Sequence, residues 1–285
     1  MKKNIRWRKI NREEYAGVEQ FLRAREFYCV SACARYLRLL REGPGRDHIW
    51  GLQDPGGKLA ALLIYSRRSL FPVFGPLRNI PLPGLLKSFP GKAPVHMVQG
   101  LRPDVELLEP LMEEQGYQAA ESIDYDLMML EGPPNQEILG AGPPDLVLRP
   151  PMEPELDEIA KIQGAYEKEE VLPKGAVFNG AYSHTNLEHI LAEEKVLIAL
   201  LGARIVGKIN TNAESFNCSQ IGGVYVLPEL RRRGIALKMS AVFLSRIIAD
   251  KQKIVLFVKK KNAPARRVYR RLGFTPLGDY RIIYY

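Results

Sequence analysis

The chain has 285 residues, of which 46% are hydrophobic and 26% charged, and its formal net charge is +9. That length favours two domains, and the composition is that of an ordinary globular protein with apolar material for two cores. No run approaches the roughly 18 apolar residues a membrane helix needs, and three cysteines are too few for a disulfide framework.

The opening stretch, Met1 to Ile10, has no apolar run after its basic start, so it does not read as a signal peptide, and the expected compartment is the cytoplasm. A strand is expected near 4–10, then helix over 12–40. Cys29 and Cys33 fall four apart on that helix, and Cys218 is distant. With no metal-ligand spacing among His48, His96, His184 and His189, reduced thiols and no metal are expected. Strands at 48–53 and 58–66 flank the turn Asp54-Pro55-Gly56-Gly57. A strand at 94–99, a helix at 103–115, the pair Gly116-Tyr117 and a strand at 123–130 close the first half. The Pro- and Gly-rich stretch from Gly132-Pro133-Pro134 to Gly142-Pro143-Pro144 reads as a linker, which puts the boundary between domains 1–141 and 142–285.

The second half alternates more clearly. A strand at 146–149, helices at 153–168 and 185–194, and a hairpin of strands 196–201 and 205–212 come first. A strand at 219–227, a glycine loop, a helix at 235–250, a strand at 254–259, a helix at 263–272 and a strand at 279–285 follow. This order gives a mixed α/β sheet covered by helices. The first half has a similar order and the same helix–Gly–aromatic–strand ending, which points to an internal duplication. Counted back from each glycine, Tyr269 corresponds to Met112 and Asn262 to Val105. The segment 69–90, where a glycine loop would fall, holds Pro72, Pro76, Pro81 and Pro83. The first half is therefore expected to be scaffold or a substrate-shaping surface.

Charge is concentrated at one end. Residues 231–285 carry fifteen Lys or Arg against two acids, a field suited to an anionic ligand, either a phosphorylated cofactor or nucleic acid. At the head of that segment stands Val224-Tyr225-Val226-Leu227-Pro228-Glu229-Leu230-Arg231-Arg232-Arg233-Gly234-Ile235-Ala236. A strand ends, a tight basic loop follows, and a helix begins near Ile235. The first N–H groups of a helix lack internal partners and the helix dipole favours negative charge there, so Gly234 and Ala236, without bulk, allow a phosphate to approach the backbone. Downstream, Asn262-Ala263-Pro264-Ala265-Arg266-Arg267-Val268-Tyr269-Arg270-Arg271-Leu272-Gly273-Phe274 has an N-cap Asn, a first-turn Pro and a C-terminal Gly. Ala265, Val268, Tyr269 and Leu272 share one face, so Tyr269 points toward the core side.

These two stretches, in this order and spacing, resemble the signature motifs of the GNAT acetyltransferases, and the element order of 146–285 agrees with that family's fold. The resemblance covers the second half; the first is at most a degenerate GNAT-like copy. It implies an acetyl-CoA-dependent N-acetyltransferase acting on an amine. Val224, Tyr225 and Val226 would line the coenzyme arm, with the main chains of Val224 and Val226 on the pantetheine and the thioester carbonyl. Arg231, Arg232, Arg233, Gly234, Ile235 and Ala236 would hold the pyrophosphate. Asn262 would touch the pantetheine, and Tyr269 would stand beside the sulfur as general acid. Direct attack by the amine needs no acyl-enzyme cysteine. The strand before the loop, Ser219-Gln220-Ile221-Gly222-Gly223, carries no acid where many members have a glutamate, leaving Glu214 and Glu170 as base candidates by neighbourhood. Gly222 and Gly223 inside a strand imply a bulge or cleared space for the acceptor. Two other functions fit the same residues: an acetyl-CoA sensor without turnover, and nucleic-acid binding through the basic segment, the latter less expected because coenzyme phosphates explain much of the charge.

Overall fold

The computed structural model describes residues 7–43, 45, 47–54, 56–75, 85, 94–250 and 253–285. Two compact units result, one made of 1–127 with 278–285 and the other of 128–277. The division differs from a boundary at 142 at both ends. Ile138 and Leu146 are buried in the core of the second unit, so the Pro- and Gly-rich stretch is part of that unit. The last eight residues return to the first.

In the first unit, β1 (Trp7–Lys9), β2 (His48–Gln53), β3 (Leu59–Ser66), β4 (Ser69–Val73) and β5 (Met97–Leu101) lie side by side in that order. Helices α1 (Tyr15–Arg23), α2 (Val30–Glu42) and α3 (Arg102–Glu114) accompany them. The expected continuous helix over 12–40 is broken into α1, α2 and single turns at Arg12–Glu14 and Glu26–Tyr28. Strand β4 falls at the start of the segment 69–90, for which no strand was expected; it pairs antiparallel with β3, including Leu63↔Pro72, and only briefly with β5, through Ser69↔Met97 and Leu70↔Val98. Residues 4–6 of the expected first strand and most of the proline-rich segment 69–90 beyond Gly75 lie outside the described residues. Trp7, Trp50, Leu63, Phe74, Val98 and Leu108 belong to the unit's main core.

The strand β12 (Thr275–Tyr284) begins in the second unit and finishes in the first, pairing antiparallel with β5 from Tyr280↔Leu101 to Tyr284↔Met97. Its side chains anchor it as well. Ile283 is buried in the core, and Arg281 donates through Nε to Asp124 Oδ1 at 2.7 Å and through Nη1 to Glu109 Oε1 at 3.0 Å. Asp124 stands on β6 (Glu121–Leu130), the other strand divided between the units.

The second unit orders its strands β11 (Lys253–Lys259), β10 (Cys218–Val226), β9 (Arg204–Glu214), β8 (Val196–Leu201) and β7 (Leu146–Arg149). Only β10 and β11 among these run parallel, and the connection between them carries α6 (Ile235–Ile247), the crossover a parallel pair requires. Leu237, Met239, Phe243 and Leu244 of α6 pack with Ile221, Ile254 and Leu256 on one face of the sheet. On the other face α4 (Leu156–Tyr166) and α5 (Gly180–Glu193) bury Ile159, Ile162 and Leu187 against Ile198, Leu200, Ile205 and Tyr225. The expected helix over 153–168 is thus a turn, α4 and then a π-helical turn, Glu167–Val171. No helix among the described residues is long and apolar enough to cross a membrane.

Deleting residues 278–285 removes the longer of the two ladders on β5 and the Arg281 anchor from the first unit. Native-state hydrogen exchange should then show the amides of Met97–Leu101 losing protection by about tenfold or more, whereas unchanged protection would deny the last strand a structural role in that unit.

Candidate active site

The parallel ladder between β10 and β11 runs only from Cys218↔Lys253 to Ile221↔Leu256. β10 continues to Val226 and β11 to Lys259, so beyond Ile221 the two strands part and one edge of β10 is released from the sheet. On its other side β10 stays paired with β9 through Tyr225↔Lys208 and Val226↔Gly207, and Leu227 N–H donates to Val206 O at 3.0 Å. Because main-chain groups alternate along an antiparallel strand, Val226 N–H and Val224 C=O face away from β9, toward the parted side. Val226 O is covered: Arg231 Nε donates to it at 3.0 Å. Tyr225 serves differently, its ring buried against Tyr166 and its hydroxyl 3.2 Å from Glu169 Oε2.

Below the parting lies the basic loop. Arg232 has φ 64° and Gly234 φ 80°, and the pair of left-handed residues turns the chain directly into α6 at Ile235. At Gly234 a Cβ would lie 2.8 Å from Gly142 N and 3.1 Å from Gly142 Cα, so conformation and a close backbone approach both require glycine. Gly142, read from sequence as linker, is the floor of this loop. Ile235 is buried, Ala236 half-buried, and Arg231, Arg232 and Arg233 are exposed. Arg231 is committed elsewhere in this conformation: its guanidinium donates to Glu169 Oε1 and Oε2 at 2.8 and 2.7 Å and stacks 5.2 Å from the Tyr225 ring. That pairing holds the Glu169 carboxyl below its usual range.

After β11 comes α7 (Ala263–Arg271), whose Tyr269 joins the core cluster that α6 fills. Asn262 caps it, its Oδ1 accepting from Ala265 N–H at 3.1 Å, while its Nδ2 donates to Glu170 Oε1 at 3.2 Å. Tyr269 is buried on the inner face, edge-on to Phe274 with ring centroids 5.8 Å apart. Burial pushes its phenol above the ordinary value, and Tyr166 and Glu170 add to the rise, so it is a protonated donor at neutral pH. The π-helical turn therefore reaches both motifs at once, Glu169 to Arg231 and Glu170 to Asn262 and to Lys259 Nζ at 3.4 Å.

Of the two base candidates, Glu170 is engaged as just described. Glu214 lies at the far end of β9, bonded to Ser219 Oγ at 3.3 Å and 3.9 Å from Lys195 Nζ. Sequence reasoning missed Lys208, which is wholly buried on β9 next to the glycine pair. The paired glycines were its signal. The ladder passes from Gly222↔Asn210 to Tyr225↔Lys208, which leaves one extra residue on β10, a β-bulge. A Cβ at Gly222 would meet Asn212 Nδ2 at 2.0 Å, and one at Gly223 would meet Asn210 Oδ1 at 1.9 Å and Lys208 Nζ at 2.7 Å. The bulge exists to admit a polar row of Lys208, Asn210 and Asn212.

The first unit shows a related parting after Leu70↔Val98, with a cavity of about 220 Å³ lined by Arg25, Cys29, Val73, Gly75 and Asp104 among others. Its helix α3 is capped at Leu101, not at a residue matching Asn262 in type, and Met112 is buried where counting from the glycine places Tyr269. Cys29 and Cys33 hold their sulfurs 3.8 Å apart without a disulfide, and Cys218 is a buried thiol. Among the described residues no group of three or more His, Cys, Asp or Glu could hold a metal ion.

Gly223 has φ 59° as well as no room for a side chain. Gly223→Ala should lower the melting temperature by several degrees, about 1–3 kcal/mol of overpacking. Gly132→Ala, whose added carbon meets nothing within 4 Å, should leave it unchanged. Equal melting of both variants would mean the bulge does not depend on that glycine.

Comparison with known proteins agrees with this geometry. Residues 201–282, spanning the parted strands, loop, α6 and α7, match the family model described as FR47-like protein. No curated protein matches the chain. A GCN5-related N-acetyltransferase from Sphaerobacter thermophilus is similar at 23% identity and TM-score 0.59, covering 99% of this chain and 95% of its own. A tandem GNAT protein from the clavulanic acid biosynthesis pathway is similar at 11% identity and TM-score 0.61, covering 98% of each chain. A Drosophila protein gives 11% identity and TM-score 0.67 over 99% of each. The chain accordingly has the mixed α/β fold of the GNAT acetyltransferases, with a GNAT-like unit in each half.

Proposed function

We propose that the second unit is an acetyl-CoA-dependent N-acetyltransferase acting on a primary amine, and that the first is a degenerate copy that shapes or supports it. The observation that carries this reading is the parted edge of β10 between the N-terminus of α6 and the buried face of α7. The coenzyme pyrophosphate would lie on the N–H groups of Arg232 to Ala236, where unpaired amides and the helix dipole favour an anion. The pantetheine would follow the released edge, met by Val224 C=O and Val226 N–H and passing Asn262. A bound coenzyme would compete with Glu169 for Arg231, so the π-helical turn would shift as the site fills.

The chemistry then needs little else. Val226 N–H, held by the strand, would stabilise the charge that develops on the thioester oxygen, commonly worth a few kcal/mol. Tyr269, kept protonated by burial, would give its proton to the leaving thiolate. Holding donor and amine together supplies the rest of the acceleration. We place the protein in the cytoplasm, where its three free thiols are at home.

A sensor that binds acetyl-CoA without turnover would share every coenzyme contact, and turnover alone separates the two. The nucleic-acid reading is weakened by pairing. Arg231, Lys253, Lys259 and Arg281, all from the basic segment, face Glu169, Glu131, Glu170 and Asp124.

Screening primary amines by thiol release from acetyl-CoA should reveal an amine-dependent rate. Tyr269→Phe should lower kcat about tenfold or more at neutral pH while leaving coenzyme binding within about twofold. Coenzyme binding with no amine turned over would favour the sensor, and full activity in the Phe variant would remove Tyr269 from proton transfer.

A further inference from the structure

Burying a lysine is among the costlier choices a fold can make, because the ammonium loses its hydration. Lys208 is wholly buried, and the acceptor of its hydrogen bond is neutral: Nζ donates to Asn210 Oδ1 at 2.6 Å and lies 5.4 Å from the centre of the Tyr166 ring. The Asn210 amide is held in that orientation, its Nδ2 donating to Thr211 O at 2.7 Å and to Asn212 Oδ1 at 2.9 Å. Two consecutive glycines and a strand bulge are given over to making this room.

We infer that Lys208 is the proton acceptor of the transfer reaction, its free amine taking a proton from the ammonium group of the acceptor at the Gly222–Gly223 bulge. The inference rests on the N-acetyltransferase reading above. An acceptor amine arrives protonated at neutral pH and cannot attack until that proton is removed. The strand that would carry the thioester offers Ser219 and Gln220 near the bulge but no acid, and Glu170 and Glu214 are engaged with Asn262, Lys259, Ser219 and Lys195. Lys208 is the register partner of Tyr225, in the stretch of β10 that has left β11, and a Cβ at Gly223 would lie 2.7 Å from its Nζ. A neutral lysine amine has two N–H groups and one lone pair; the bond to Asn210 Oδ1 uses an N–H and leaves the lone pair free.

Burial pushes the Lys208 ammonium down to about 7, against the opposing charge of Glu167. An ordinary lysine, titrating near 10.4, would be free in only about one molecule in a few thousand at neutral pH. The other groups around it are Tyr166, Tyr225 and Glu167, and Glu167 is itself held by Gln163 Nε2 at 2.7 Å and Asn186 Nδ2 at 3.1 Å. Protons balance as follows. Lys208 receives one from the ammonium and later loses it to solvent. The freed nitrogen forms a bond to the carbonyl carbon as the carbon–sulfur bond breaks. The thiolate takes the Tyr269 proton, and the second proton leaving nitrogen restores the phenol.

The test is the pH profile of kcat/KM, with the amine found by thiol release, for the wild type, Lys208→Gln and Lys208→Arg. Wild-type activity should fall below about pH 7. Both variants should be at least about tenfold slower at pH 7 and should regain about tenfold per pH unit toward the acceptor's own pKa, as only pre-formed free amine then reacts. Their thermal shift with acetyl-CoA should match the wild type. A wild-type rate and profile in Lys208→Gln would overturn the inference while leaving the acetyltransferase reading intact; an absence of any amine turnover in the wild type would remove both. Should the variants fail to fold, ¹³C NMR of ε-labelled lysine in the wild type decides: a buried resonance titrating near 7 supports the role, and none titrating below about 9 contradicts it.

Discussion

In the second unit everything of chemical interest follows from a strand losing its neighbour. β10 is bonded to β11 for four residues and then departs, yet it stays anchored to β9 by the Tyr225↔Lys208 and Val226↔Gly207 pairs. A strand edge inside a sheet ordinarily has its main-chain groups satisfied. Here Val226 N–H and Val224 C=O are aimed into a gap, with the start of α6 at one end and the buried face of α7 alongside. The bulge at Gly223 turns the strand out, and α6 fills the crossover beneath it with Leu237, Phe243 and Leu244. On the proposed function the thioester arm would lie along this gap with its diphosphate at the basic loop.

The π-helical turn links the parts. Glu169 holds Arg231 and the Tyr225 hydroxyl, Glu170 holds Asn262 and Lys259, and Glu167 receives Gln163 and Asn186. Three carboxylates within four consecutive residues thus reach the loop, the capping asparagine and the helices α4 and α5. A π turn widens the helix by one residue and re-aims side chains, and such turns are common at functional sites. On the proposed function a coenzyme would compete with Glu169 for Arg231, and this segment would shift as the site fills.

Much of this was legible in the sequence because local chemistry agreed with tertiary need. The Asn262 cap, the Gly234 turn into α6 and the inward face holding Tyr269 and Leu272 are local patterns, and the structure has them where spacing put them. Less visible were features that depend on a distant partner. β4 contains Pro72, which sequence rules read against a strand, yet it pairs there with Leu63 of β3. The stretch up to Gly142 looked like a linker because its prolines and glycines carry no period, though Ile138 and the floor under Gly234 tie it to the second unit. Lys208 was invisible as a candidate, since a lysine in a strand reads as exposed; only the pair of glycines facing it hinted at what lies above them. The roles proposed for Val224 to Ala236, Asn262 and Tyr269 rest on the resemblance to the GNAT motifs and on this geometry together.

The claim on which the rest stands is that the loop and the parted strands hold acetyl-CoA. The most direct measurement is the melting temperature of the full chain with excess acetyl-CoA, with free CoA and ATP alongside. At about 100 times the dissociation constant a ligand stabilises by roughly 2.7 kcal/mol, a rise of several degrees. The expected result is a rise with both coenzyme forms and none with ATP. No rise with either form, or an equal rise with ATP, would contradict a coenzyme site at this loop.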